Sequence, residues 1–163
     1  MAGKTPARAA LITFDDGFRS YFSTAVPILE KYNLSSIIFL NMAPVKGEIF
    51  WSGLITYLCE NSSDFSHHVI TNSECNLKEK PLYLYCTREI VNSYLEIKGE
   101  TFRSEVEKFV GDFATEKDLE SVSSNNFVFF GNHLYNHDVP LLLTEKELLE
   151  SYRKNEDELK KYP

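Results

Sequence analysis

The chain has 163 residues, a length that suits one domain able to bury a core of its own. Its 24 acidic residues outnumber its 17 lysines and arginines, and the net charge of -7 argues against a nucleic-acid partner. No apolar run approaches the ~20 residues that a membrane span requires, and Met1 to Arg8 lacks the apolar segment of a secretory signal. We therefore predict a cytoplasmic protein.

The N-terminal forty residues predict a strand, a helix and a second strand. The apolar run from Ala9 to Phe14 is typical of a buried strand, and Ser36 to Leu40 is a second one. Between them we expect a helix capped by Ser23 and ending near Tyr32, with Pro27 in its first turn. This order predicts a right-handed βαβ unit, and hence an α/β fold with parallel strands.

The middle of the chain is predicted to be a helical insertion at about residues 43–113, not a separate domain. Met42–Phe50 is expected to be a loop and Asn61–Pro81 to be irregular. His67 and His68 lie in the irregular part, and because adjacent side chains point apart, we expect surface histidines that share no ion. Helices are expected at Trp51–Glu60, at Thr87–Leu95 with Gly99 as its end, and at Thr101–Val110.

The last third of the chain predicts a further helix, strand and helix. Thr115 begins a short helix that ends near Ser123, and Phe127–Phe130 is the next strand. Thr144 and Glu147 have the spacing of a capping box, so a long helix is expected from there to about Lys161.

Three cysteines are present, and they cannot all pair with one another. Cys59, Cys75 and Cys86 have no spacing typical of a structural zinc site. We expect them to be reduced thiols without a metal role.

Two adjacent acids, Asp15 and Asp16, stand where the first strand should end, and Gly17 then turns the chain. Neighbouring carboxylates repel each other, so either one takes up a proton or both recruit a cation. Asp-Asp-Gly is also ordinary turn chemistry, and that alternative stays open for this tripeptide alone.

Two histidines, His133 and His137, follow the apolar run Phe127–Phe130. On one turn of helix these i and i+4 rings would share a face and could reach one ion. Two imidazoles and one carboxylate leave coordination positions open, as in a catalytic metal site. A chance pair of surface histidines is the alternative, but the acid pair after another strand favours the metal site.

These two motifs resemble those of the polysaccharide deacetylases, the NodB-homology carbohydrate esterases. Thr13 to Gly17 reads Thr-Phe-Asp-Asp-Gly, which is the first motif of that family. His133 to His137 is similar to the second motif, with Leu134 in the place of a serine or threonine. The resemblance covers about residues 9–42 and 115–160. It implies a distorted (β/α) barrel, of which residues 1–163 would form a single, incomplete domain.

The resemblance also implies a metal-dependent hydrolase that removes acetyl groups from an N-acetylated or O-acetylated polysaccharide. In the N-acetyl case the bond is a carbon–nitrogen bond outside a peptide. Asp16, His133 and His137 would hold a divalent ion, most often zinc, although these ligand types also admit cobalt or nickel. Asp15 would be the general base that takes a proton from the attacking water.

Three later motifs of the family have no counterpart after His137: an arginine beside a proline, an aspartate with a tryptophan, and a late histidine. We therefore expect an N-terminal fragment that binds metal but turns over poorly. Two alternatives stay open, namely a non-catalytic relative that binds metal or sugar, and a hydrolase of small cyclic amides.

Overall fold

The computed structural model describes residues 8–74, 76, 80–109 and 111–162, apart from the side chains of residues 107 and 109. Residues 1–7, Cys75 and Val110 figure in the predictions above but lie outside the described residues. Within the described part of the chain, no helix is long and apolar enough to cross a membrane.

Three parallel strands form one open sheet, which confirms the predicted α/β fold with a partial, distorted barrel. The strands are β1 (Ile12–Asp16), β2 (Ser36–Leu40) and β3 (Val128–Asn132), and β2 lies in the centre. The bounds of β2 are as predicted. The predicted end of β1 at Phe14 is wrong, because both acids still pair with β2, Asp15 with Phe39 and Asp16 with Leu40.

One face of this sheet packs against helices and the other is open. Phe14, Ile38 and Phe130 share a row on the covered face, where Ile38 is fully buried. The next row along, Thr13, Ile37 and Phe129, belongs to the open face, since successive side chains of a strand point to opposite sides. Phe129 is 52% exposed there.

The helices that flank the sheet are short, except for the last one. Because Pro27 lacks an amide hydrogen, it is tolerated in the first turn of the helix that follows β1. The last two helices both begin with a capping box, and the one at Thr144 is the capping box that the sequence predicts. Their bounds are α1 (Val26–Lys31), α2 (Met42–Val45), α7 (Glu116–Val122) and α8 (Glu145–Leu159).

The middle of the chain is helical and has a hydrophobic core of its own. Its helices are α3 (Trp51–Asn61), α4 (Phe65–Asn72), α5 (Arg88–Lys98) and α6 (Glu100–Phe109), with a 3-10 turn at Leu82–Tyr85. Their core is separate from the one under the sheet and includes Trp51, Leu54, Phe65, Val91 and Val106. We refer to residues 51–109 as the helical segment. The assignment of the helical segment as an insertion into a single domain stays a prediction.

Three local predictions are wrong. A π-helical turn at Tyr21–Ala25 precedes α1, so Ser23 lies inside a helical run and is no N-cap. The expected loop at Met42–Phe50 begins with α2, whose residues are all buried. The expected irregular stretch at Asn61–Pro81 contains α4, because Phe65 and Val69, four residues apart, both enter the core.

The two adjacent histidines of α4 have different surroundings. His67 is exposed, as expected. His68 is half-buried, and its Nε2 lies within hydrogen-bond distance of the Ile90 carbonyl and the Ser93 hydroxyl, so the expectation of a surface residue is wrong for His68. Because the half-buried ring of His68 bonds to α5, His68 is a structural link between α4 and α5.

Two cysteines also belong to the helical segment. Cys86 is buried in its core, and Cys59 packs against that core. A hydrogen bond with Cys86 lowers the pKa of the Cys59 thiol.

Asn155 of α8 joins the sheet to its covering helices. It is fully buried, and its amide nitrogen donates to the Leu40 carbonyl at 2.8 Å and to the Asn132 side chain at 2.9 Å. Its amide oxygen accepts from the backbone N–H of Met42 at 2.9 Å. One side chain therefore satisfies polar groups at the ends of both β2 and β3, where an unpaired group would be costly.

We expect Asn155→Ala to lower the free energy of unfolding by about 1–3 kcal/mol, because it leaves the N–H of Met42 without its partner and removes one of the two donors to the Leu40 carbonyl. Urea unfolding followed by circular dichroism measures this. Asn72→Ala is the matched control, since that side chain is exposed and bonds only within its own helix. Equal losses in the two variants would contradict the role given to Asn155.

Candidate metal centre

Asp16 occupies the last position of β1, where the chain turns out of the sheet. Its φ of 72° lies in the left-handed region, and Gly17 follows with a φ of 93°. A Cβ on Gly17 would lie 2.9 Å from Cδ2 of Leu40, so this tight turn requires glycine. The turn presents the Asp16 carboxylate beyond the carboxyl end of the sheet, where sites in parallel sheets are usually found.

The expectation that His133 and His137 share one turn of helix is wrong. Both lie in a loop that follows β3, which we call the histidine loop (residues 133–137). Leu134 has a φ of 64° and His137 a φ of 55°, and neither value is compatible with a right-handed helix. The two rings meet because the loop curls back on itself.

Backbone groups of the histidine loop are held by the end of β2. The N–H of His133 donates to the Leu40 carbonyl at 3.1 Å. Asn41, the residue after β2, is fully buried, and its amide donates to the carbonyls of His133 and Leu134. These bonds fix the loop just where Leu134 takes its uncommon backbone conformation, which is unfavourable without such support.

Two further side chains complete this support. The side-chain oxygen of Asn132 accepts from the N–H of Leu134 at 3.0 Å and also from Asn155. Tyr135, in the middle of the loop, is buried in the core, and its hydroxyl donates to Glu48 at 2.7 Å. Burial and this bond to Glu48 raise the pKa of Tyr135 to about 12, so the phenol stays neutral. With Tyr135 pointing inwards, the two histidines flanking it are left facing the site.

Asp16, His133 and His137 converge on one point. Oδ1 of Asp16 lies 3.5 Å from Nε2 of His133 and 3.3 Å from Nε2 of His137. One ligand atom from each residue lies within 4.8 Å of the other two. The two imidazole rings are 4.9 Å apart and meet edge to face. Three donors at these spacings can surround a single cation.

The burial of the carboxylate supports such a cation. Oδ1 of Asp16 is buried and has no hydrogen-bond partner among the described residues. A buried carboxylate oxygen without a partner is costly, and a divalent ion between it and the two imidazoles would remove that cost. Two imidazoles and one carboxylate are a typical zinc donor set that leaves a position open. The residues present therefore fit a divalent metal.

Phe50, the residue before α3, closes one side of the site. Its ring lies 5.4 Å from that of His137 and meets it edge to face. Phe50 in turn packs on Phe18 and Phe113, whose rings are stacked 4.6 Å apart. This aromatic group keeps water from one flank of His137 and links the site to the start of the helical segment.

Asp15 directly precedes Asp16 in β1 and belongs to the open face of the sheet. It pairs in register with Phe39, and the ring of Phe39 lies 6.4 Å from that of His133. Its side chain is exposed, and no hydrogen bond or ion pair to its carboxylate occurs within the described residues. Asp15 is thus an unengaged carboxylate that is adjacent in sequence to a candidate metal ligand.

The sequence did not indicate the residues that orient the ligands. Asn41, Asn132 and Asn155 act through bonds that join residues far apart in the chain, for example Asn41 to His133 and Asn155 to Leu40. The available signal was weak, since it was only an asparagine directly after β2 and another directly before His133.

An aspartate and two histidines that leave a coordination position open are typical of catalytic metal sites. The sequence model of the polysaccharide deacetylase family matches residues 2–162, so the chain belongs to this family of hydrolases. Comparison with curated proteins and with solved structures found no match.

We expect the wild-type chain to bind one zinc ion and Asp16→Ala and His133→Ala each to lose it, since two remaining ligands hold the ion poorly. Equilibrium dialysis followed by elemental analysis measures the stoichiometry. Asp157→Ala and His67→Ala are matched controls, because both side chains are exposed and neither contributes a ligand atom to the candidate site. Undiminished zinc in either ligand variant would contradict the assignment.

We expect Asn41→Ala to weaken zinc binding by roughly 10- to 100-fold, the usual effect of removing a group that orients metal ligands. Competition with a chromophoric chelator gives the affinity, and circular dichroism confirms that the variant is folded. Asn61→Ala, which removes only a bond within α3, serves as the control. An Asn41→Ala variant with wild-type affinity would show that the histidine loop needs no such support.

Proposed function

We propose that this chain removes acetyl groups from an N-acetylated or O-acetylated glycan, with Asp16, His133 and His137 holding a divalent ion. The observation that carries the proposal is the approach of the Asp16 carboxylate to both imidazole nitrogens at 3.3 and 3.5 Å. Zinc is the ion we assign, and cobalt and nickel suit the same ligands. Membership of the polysaccharide deacetylase family supports the reaction and the class of substrate.

The ion, when bound, would supply the Lewis acidity that polarises an acetyl carbonyl and makes water a better nucleophile. The residues of the chain contribute the rest. Asp15 accepts the proton of the attacking water at its exposed carboxylate. The proton then passes to the departing nitrogen or oxygen of the sugar, so that the products are acetate and a free amine or hydroxyl.

The surroundings of the three ligands serve to keep them in place. Gly17 sets the turn that aims Asp16, and Asn41 fixes the carbonyls of His133 and Leu134. Leu134 lacks the hydroxyl that relatives carry at this position, and its N–H bonds to Asn132. In this proposal the asparagines hold the loop without help from that hydroxyl. Pre-organised ligands reduce the rearrangement needed in the reaction.

We expect Asp15→Asn to lower the rate of acetate release from N-acetylglucosamine oligomers by roughly 10²–10⁴-fold, since it removes the proton acceptor. The ratio is taken against the wild-type chain with the same zinc content, and Asp157→Asn is the control for loss of an exposed carboxylate. Zinc binding by Asp15→Asn should stay as in the wild type.

Two outcomes would contradict the proposal. An Asp15→Asn variant with the full wild-type rate would exclude Asp15 as the base. Release of product from small cyclic amides, with none from acetylated sugars, would favour the alternative amide hydrolase.

A further inference from the structure

A cavity of about 330 Å³ lies beside the candidate metal centre, between the helical segment and the histidine loop. His137 itself forms part of its wall, so a molecule in the cavity would contact a candidate metal ligand. Its volume falls in the range of about 300–1,000 Å³ that is typical of small-molecule sites.

An ion pair between the helical segment and the residue after the histidine loop forms part of the cavity wall. Arg88 of α5 bonds to the Asp138 carboxylate at 3.2 Å, and Asp138 directly follows His137. The guanidinium of Arg88 also lies over the ring of Trp51 at 4.7 Å, which holds it against α3. The cavity therefore has fixed walls on both sides.

The walls of the cavity combine apolar faces with polar edges. Trp51, Ile55, Tyr83 and Leu142 supply the apolar surface, and Ser52 and Thr87 add hydroxyls. Tyr83 is 47% exposed, so its ring is accessible to a ligand. Aromatic faces suit the C–H faces of a sugar ring, and hydroxyls and carboxylates at the edges suit its hydroxyl groups.

The charged groups of the cavity are mostly acidic. Among the described residues, Glu89, Asp138 and Glu147 line it together with one cation, Arg88. A hydrogen bond from its own backbone amide lowers the pKa of Glu89, and the backbone N–H of Thr144 does the same for Glu147, so both are ionised at neutral pH. Arg88 is already paired with Asp138. The remaining charge is negative, which favours a cationic ligand and disfavours an anionic one.

A second cavity of about 300 Å³ continues from the first and shares Arg88 and Asp138 with it. Two further charged side chains line it, Glu150 and Lys154. Their charges cancel, so the net charge of the lining side chains stays negative. The two cavities share part of their walls, and His137 lines only the first, so a ligand that occupied both would be longer than one sugar.

We propose that the cavity lined by Tyr83, Glu89 and Asp138 is a sugar subsite that favours a residue with a free amino group next to the acetylated residue that reacts. This inference rests on the proposed function, because it takes the substrate to be a glycan. Such a subsite would direct the chain to glycans in which a neighbouring sugar has already lost its acetyl group. The preceding reaction must then be another deacetylation of the same polymer.

Binding by the zinc-loaded chain tests this proposal without reliance on turnover. Isothermal titration calorimetry at low salt compares three tetrasaccharides: one of glucosamine, one of N-acetylglucosamine, and one that alternates glucuronic acid with N-acetylglucosamine. We expect affinity to fall in that order, from cationic to neutral to anionic. Anionic binding equal to or tighter than cationic binding would overturn the proposal.

Two pairs of variants locate the binding. Tyr83→Ala should weaken binding of the neutral oligomer by roughly two- to tenfold, the usual contribution of an aromatic contact, whereas Tyr32→Ala at the opposite end of the sheet should not. Glu89→Gln should reduce the preference for the cationic oligomer by roughly two- to fivefold. Glu96→Gln, on the same helix but outside the cavity, is its control. The proposal is overturned if Tyr83→Ala binds as Tyr32→Ala does, or if Glu89→Gln binds as Glu96→Gln does.

The failure of the subsite is distinguishable from the failure of the proposed function. If the cavity variants change binding as expected but no acetate is released from any oligomer, the proposed reaction is wrong and the sugar site stands. If acetate release depends on Asp15 but binding is indifferent to Tyr83 and Glu89, the reaction stands and the subsite is wrong.

Discussion

The register of the three parallel strands is the constraint on which the candidate site depends. It places Asp16, Leu40 and Asn132 in one row at the carboxyl end of the sheet. Asp16 is a candidate ligand, Leu40 accepts the N–H of His133, and Asn132 supports Leu134. A shift of one residue would reverse the face of every side chain in a strand and separate these groups. The hydrogen bonds that pair the strands therefore also set the positions of the candidate ligand Asp16 and of the groups that support the histidine loop.

Buried amides extend this register into the loop. Asn41, Asn132 and Asn155 connect β2, β3 and α8 to the histidine loop, and both bonds of the Asn41 amide end on loop carbonyls. The hydrogen bonds of such a buried network favour a single arrangement of the groups that they join. The loop can in this way keep positive φ values at Leu134 and His137 that its sequence alone would not favour. The cost in backbone strain is spread over several elements of the fold.

Sequence reasoning reached the parallel strands and the three converging residues, but not the conformation that joins them. Alternating and continuous apolar runs carry the strand signal, so Ser36–Leu40 was predicted to the residue. The histidine loop was predicted as helix because i, i+4 spacing is a helical pattern. A leucine gives no sequence signal for a positive φ, which residues other than glycine seldom adopt. The bond between Asn155 and Leu40 joins residues 115 positions apart, and such contacts follow only from tertiary packing.

The central claim is that Asp16, His133 and His137 share one ion, and its location tests this most directly. Anomalous diffraction at the zinc edge, from crystals of the zinc-loaded chain, locates the ion. We predict a single peak with the Asp16 oxygen and both histidine nitrogens at about 2.0–2.2 Å, the distances normal for zinc. A peak bound elsewhere, with the Asp16 carboxylate beyond coordinating distance, would contradict the account.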